Sequence, residues 1–314
     1  MLDAVRKIIE LSARLSELNG RTEWRQHAYH QREMKRHYRR LTAVMRTRAS
    51  SPDRQQKRDL SIEQHCGQYL SNAIKQIQRS DFTCANVNRN IPENQFLISK
   101  ISEFRKHALR QIDQIHRRLI VGERIPHDEK VFSVFQPHTE WVSKGKAGVP
   151  VELGLRVCVM NDADGFILHH QVMQRCTDDV VAVPMVAETK ERFGELRAVS
   201  MDKGFHSPGN QHALRELIET VVLPKKGRLN HAEKLRESDP EFVALRRKHS
   251  AVESAINALE VHGLDRCRDH GIDGFCRYTA LAVVARNIQV IGAILHRKEA
   301  DARRRRAKHT RKAA

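Results

Sequence analysis

The run AVSMDKGFHSPGN, residues 198–210, sets a single carboxylate, Asp202, where an apolar stretch gives way to a turn. Aspartate is common in turns, and an acid in that place is as readily a metal ligand as a turn former. A second acid, Glu253, stands in RRKHSAVESAINALE, next to the stripe Val252, Ile256 and Leu259 rather than opposite it. An acid at the edge of an apolar helix face is costly to dehydrate unless something positive receives it. A surface ion pair with Arg246 or Lys248 would meet that need. Alternatively, a carboxylate at a strand end and another on a later helix converge on a divalent cation. Mg2+ or Mn2+ takes hard oxygen ligands and keeps several waters, and two such ions about 4 Å apart serve in-line displacement at phosphorus.

Other residues offer weaker chemistry. Lys144 and Lys146 in WVSKGKAG, with Lys203, Lys225 and Lys226, flank strand ends and either contact phosphates or are solvated loop lysines. His169-His170 lies in a β run and reads as one core and one exposed residue. Asp178-Asp179 opens a helix, where N-capping suffices. The six cysteines contain no CxxC pair, and Cys267 and Cys276 lack zinc-site spacing, so reduced thiols are expected.

Composition names the partner class. The 314 residues carry 56 Lys+Arg against 38 Asp+Glu, a formal net charge of +18. Such an excess is self-repelling unless a polyanion neutralises it, and nucleic acid is the usual partner. No apolar run approaches the ~20 residues of a spanning helix, so a membrane is not expected.

These residues need elements to position them. Residues 1–121 read as helices. The first spans Leu2 to Leu18 and stops at Asn19-Gly20. An Arg-rich helix follows, with Trp24 either packed or lying along a DNA backbone. A third long helical segment runs to Gly122. From about residue 130 the texture is β-rich: KVFSVF, VELGLRVCVM and GFILHHQVM, the last two joined by a hairpin turn at Asn161–Gly165. A helix over 179–194, the strand 196–201, a helix at NQHALRELIE and the strand TVVLPKKG complete a β-β-β-α-β-α-β order, a mixed α/β sheet. A polar linker over 227–239 leads to helices at 240–261 and 275–297. The basic tail from Lys298 is expected to be disordered. The expected division is thus 1–121 helical and DNA-contacting, 122–297 the core that carries the sheet, and 298–314 a basic disordered tail.

The runs VFSVFQPHTEWVSKGKAGVPVELG, SMDKGFHSPGN, VVLPKKG, HSAVESAINALEVHGLDRC and GFCRYTALAVVARNIQVIG follow one another as in insertion-sequence transposases of the DDE class. Over roughly residues 120–297 the chain resembles the ISNCY-type group with an IS4-like catalytic domain. The resemblance implies an RNase H-like fold and DNA strand cleavage and transfer. It also implies three carboxylates holding two Mg2+, double-stranded DNA as partner at element ends and target, a homo-oligomer when intact, and a cytoplasmic, nucleoid-associated location. Carried over by position, Asp202 is the second aspartate and Glu253 the glutamate. The family's first aspartate precedes a Leu-Leu-x-Asp-x-Val-Arg helix, which MLDAVRK at residues 1–7 resembles. The expectation is therefore an incomplete copy, with a non-catalytic DNA-binding remnant as the alternative and poor solubility as a consequence of a lost strand. Asp128, in RIPHDEKVFSVF, is a weak substitute for the first acid. Some relatives carry Arg four residues before the glutamate and Lys seven after. Here those positions hold His249 and Glu260, so that signature is not met.

Overall fold

The computed structural model describes residues 1–143, 151–249 and 251–313; the side chains of Ala251, Glu253, His262 and residues 307–313 lie outside the described set. The chain divides into two compact units, Met1–Pro137 and His138–Ala314, so the boundary falls later than the expected division between residues 121 and 122.

The N-terminal unit is built on four helices: α1 Leu2–Leu18, α2 His27–Arg46, α3 Pro52–Ala85 and α4 Pro92–His116. Helix α1 ends where the sequence expects. Gly20 takes the left-handed conformation (φ 66°), and Asn19 Nδ2 donates to the Leu15 carbonyl at 2.8 Å. Helix α3 starts at Ser51, whose hydroxyl accepts from the Arg54 amide, with Pro52 in the first turn where its missing N–H costs nothing. Val5, Ile8 and Ile9 of α1 form one core with Met34 and Leu41 of α2, Ala73 and Ile77 of α3, and Leu97 and Ile101 of α4. Trp24 is 2% exposed. Its indole N–H donates to Thr83 Oγ1 at 2.8 Å, and the Arg79 guanidinium lies 4.7 Å from the ring centroid. Trp24 is therefore the packed aromatic, not a DNA contact.

After α4 a π turn, Arg117–Val121, closes at Gly122 (φ 79°). The expected strand KVFSVF is not formed. That short apolar run finds no partner strand and packs on helices instead, Val134 against the unit's core and Phe135 edge-on to Phe104 at 5.9 Å.

The C-terminal unit is mixed α/β. Its strands are β1 Glu140–Ser143, β2 Val151–Gly154, β3 Arg156–Asn161, β4 Ile167–Met173, β5 Ala198–Ser200 and β6 Thr220–Val222. Its helices are α5 Asp178–Phe193, α6 Pro208–Leu217, α7 His231–Ser238, α8 Pro240–Lys248, α9 Ala251–Leu259 and α10 Gly271–Ala313. Among the described residues the strands form three pairs rather than one mixed sheet: β1-β2 and β3-β4 antiparallel, β5-β6 parallel. The run VELGLRVCVM breaks at Leu155 because its partner changes there from β1 to β4. The β3–β4 turn forms as expected: Asp162 Oδ1 accepts from the Asp164 and Phe166 amides, both at 2.9 Å. Ala182 and Val186 of α5 pack with Val199 and Met201 of the β5 segment and Leu214 of α6.

Three expectations change at the C-terminal side. The polar stretch 227–239 is not all linker, because Asn230 and Glu233 form a reciprocal capping box that nucleates α7. Helix α10 runs on to Ala313 where a disordered tail was expected. The segment is rich in Ala, Arg and Lys, all strong helix formers, and Arg303–Glu299 and Arg304–Asp301 add pairs at helical spacing. By length and composition α10 also contains a helix apolar enough to cross a membrane, 22% of its apolar window being buried. Its apolar residues are interrupted by Arg286, Asn287 and Gln289, which is why no continuous run stands out. Ala282 and Val283 pack with Ile167 of β4 and Leu259 of α9.

Candidate functional site

Parallel pairing puts the C-terminal ends of β5 and β6 at one edge, the place where open α/β sheets carry ligands. The pairing extends one step past β5, the Met201 amide donating to the Val222 carbonyl at 2.9 Å. Asp202 follows immediately. It precedes the 3-10 turn Lys203–Phe205, and its side chain is 77% exposed. Ser200, two residues earlier and so on the same strand face, has a buried hydroxyl with no hydrogen-bond partner among the described residues.

Three other elements meet this turn. Helix α5 brings Asp178, whose carboxylate occupies the space beside Gly204: a Cβ there would lie 2.8 Å from Asp178 Oδ2. Asp178 also receives Arg156 Nη1 of β3 at 3.3 Å. Helix α6 starts at Ser207, and its Asn210 amide group donates to the Asp179 carbonyl at 2.7 Å and the Phe205 carbonyl at 2.8 Å. Asn210 thus ties the start of α5 to the turn after Asp202. The end of α8 brings His249, with Nε2 at 3.3 Å from Asp202 Oδ1. In sequence His249 stands four residues before Glu253.

Position by position, the site is partly assembled. Glu253 lies on α9, and its side chain is outside the described set. Asp128 belongs to the other unit, in a turn at 127–129, and not at a strand mouth, since the run KVFSVF that follows it forms no strand. Lys144 and Lys146 lie outside the described residues. Lys203 is exposed beside Asp202. Lys226 is exposed on the β6 side and, behind a hydrogen bond from Thr177, helps hold the Asp179 carboxyl below the usual carboxylate range. Lys225 differs from expectation. Its ammonium is held by both Glu233 oxygens, at 2.8 and 2.9 Å, so it anchors α7 to the sheet edge rather than meeting phosphate. His169 is buried. Its Nδ1 faces Arg192 Nη1 at 3.2 Å and its Nε2 faces Glu188 at 3.2 Å, a satisfied core histidine.

Sequence reasoning missed that α5 and α6 bring Asp178 and Asn210 against the turn after Asp202. Gly204 was the available signal: a residue without Cβ, two positions after the acid, allows another carboxylate to come close. Among the described residues no cluster of three or more His, Cys, Asp or Glu is grouped to hold a metal ion. Asp202, Asp178 and Ser200 lie on segments that meet around this turn, and each offers hard oxygen atoms. One or two carboxylates with retained waters suffice for Mg2+ or Mn2+, so the donor chemistry fits such an ion. Comparison of the chain with protein-family models, with curated proteins and with solved structures finds no match in any of the three.

Proposed function

We propose that the chain is a transposase of the insertion-sequence type, with an RNase H-like core, acting on double-stranded DNA through a divalent cation at Asp202. The observation that carries this reading is the pairing of His249 with Asp202. His249 is four residues before Glu253 in the sequence, so its contact with Asp202 supports convergence of the two carboxylates. Asp202 and Glu253 are the cation ligands, with Asp178 able to join from α5. When bound, the cation would lower the pKa of a water and polarise the scissile phosphate. The chain's own residues do the rest. His249 orients the Asp202 carboxylate, and Lys203 and Lys226 meet phosphate oxygens at the same edge. Asn210 fixes the turn so that the acids keep their spacing.

A second reading, DNA binding without strand cleavage, has its own support. The Asp202 carboxylate is open to solvent and engaged with a histidine rather than set among acids. Nicking of supercoiled plasmid with Mn2+ separates the two. The transposase reading expects nicking that is lost in Asp202→Asn and Glu253→Gln and retained in Asp128→Asn. Nicking that survives both of the first two changes overturns it. A chain that binds plasmid but never nicks it supports the second reading.

A further inference from the structure

Helix α2, in the N-terminal unit, carries a second charged surface. Between Arg25 and Arg48 the sequence has eight Lys/Arg and one acid, Glu33. The structure sorts them. Met34 and Leu41 are buried in the helical core, whereas Arg32, Lys35, Arg36, Arg39, Arg40 and Arg46 are all exposed. At 100° per residue these six lie within about 80° of one line along the side opposite Met34 and Leu41. Arg36 pairs with Glu33 at 3.6 Å; the other five have no carboxylate partner among the described residues. A solvated helix face ordinarily mixes both signs, with i,i+3 and i,i+4 pairs that relieve repulsion. This face has one such pair and five uncompensated cations.

We infer that the outer face of α2 is a docking surface for the phosphate backbone of double-stranded DNA, read without regard to sequence. Twenty helical residues span about 30 Å, close to one turn of duplex. Charge complementarity selects a polyanion, and the face's shape selects among polyanions. An interfacial membrane helix needs bulky apolar residues on the side that enters lipid, but the apolar side of α2 is spent on the unit's core. Single-strand binders need a run of aromatic platforms for stacked bases, and Tyr29 alone, 47% exposed, stands near this line of cations. Arginine forks spaced by single helix turns suit successive phosphates. The surface does not depend on Asp202 or Glu253, so it can hold whether or not the chain cuts DNA.

The test is fluorescence anisotropy of the full chain with two unrelated duplexes of about one to two helical turns, in EDTA, across a salt series. The variant Arg32→Gln/Lys35→Gln/Arg39→Gln/Arg46→Gln removes four unpaired cations from the face. A control, Lys298→Gln/Arg303→Gln/Arg304→Gln/Arg305→Gln, removes the same charge from α10. The α2 variant is expected to lose affinity about tenfold or more for both duplexes. The slope of log K against log salt should flatten by about 3 to 4, near 0.9 per lost phosphate contact. The control should change neither by a comparable amount, and circular dichroism should be the same for all three proteins. Equal losses in the two quadruple variants would mean that net charge alone is at work and overturn the inference. So would undiminished duplex binding by the α2 variant, or tighter binding to anionic vesicles than to duplex. Because EDTA removes any role for a cation, a failure here is distinct from a failure to nick plasmid.

Discussion

Asp202 and Ser200 sit two residues apart on one strand face, yet their environments differ. The Asp202–His249 pair joins a carboxylate that is 77% exposed to an imidazole that is 19% exposed, and pairs of that kind contribute about 0–1 kcal/mol. His249→Ala should therefore change the free energy of urea unfolding by less than about 1 kcal/mol. A larger loss would show that the pair is structural and not a poised ligand. Ser200 carries a buried hydroxyl without a partner among the described residues, which costs rather than stabilises. Ser200→Ala should be neutral or stabilising by up to about 1 kcal/mol in the same titration. A destabilised Ser200→Ala would mean that the hydroxyl is satisfied after all. Cysteine reactivity is decided at the same scale. Burial pushes the Cys158 thiol up to about 12, so almost none is thiolate at neutral pH. Alkylation followed by peptide mapping should find Cys158 slower than Cys267 and Cys276, and equal rates would contradict its burial.

Helix α10 is tied to the hairpin by the Asn287 amide as well as by apolar contacts. Asn287 Oδ1 accepts from the Ile167 amide at 2.8 Å, and its Nδ2 donates to the Ile167 carbonyl at 3.0 Å. Asn287 does what a neighbouring strand would do for β4 at that point. Asn287→Ala removes both bonds and leaves two part-buried backbone groups unpaired, a cost of about 1–3 kcal/mol. A chemical denaturation midpoint unchanged by that substitution would show that α10 is held by its apolar contacts alone. Such elements also show what was legible in the sequence. The Asn19-Gly20 stop of α1, the Asp162 turn and the strand leading to Asp202 depend on neighbours close in sequence, and they formed where local chemistry placed them. The missing strand at KVFSVF, the splitting of the strands into pairs and the engagement of Lys225 by Glu233 depend on which distant segment arrives, and no local pattern encodes that. Asp202 was legible as an acid at a strand end. Asp178 was not, because its approach through Gly204 is a tertiary event.

For the molecule as a whole, buried and partly buried histidines set the response to acid. Burial, aided by the charge of Arg79, lowers the pKa of His30; burial likewise lowers His37 and His107 in the same unit and His169 and His170 in the other. The geometry at His30 gives the reason in atoms. Arg79 Nη1 lies 2.6 Å from His30 Nε2, and since arginine only donates, the imidazole must accept there and stay neutral. A histidine whose folded pKa is depressed is neutral in both states above its unfolded value, about 6.5. Below that value the unfolded chain takes up protons that the native chain refuses, so stability is lost as pH falls towards the folded pKa. All five histidines act in this one direction. Carboxylates held below their usual range, such as Glu23, where burial is outweighed by a backbone hydrogen bond and then Arg21, add a further loss only at lower pH, near and below about 4.5. Thermal melts should therefore show a first decline starting below about pH 6.5 and a second one in stronger acid. With one tryptophan in each unit, Trp24 and Trp141, a Trp141→Phe background lets Trp24 fluorescence report the helical unit alone. In that background His30→Gln keeps an acceptor for Arg79 but cannot take up a proton, and the first decline in the helical unit should become shallower. An unchanged profile would assign the acid sensitivity to His37 and His107 instead, and a profile that rises towards pH 5 would refute a neutral buried His30.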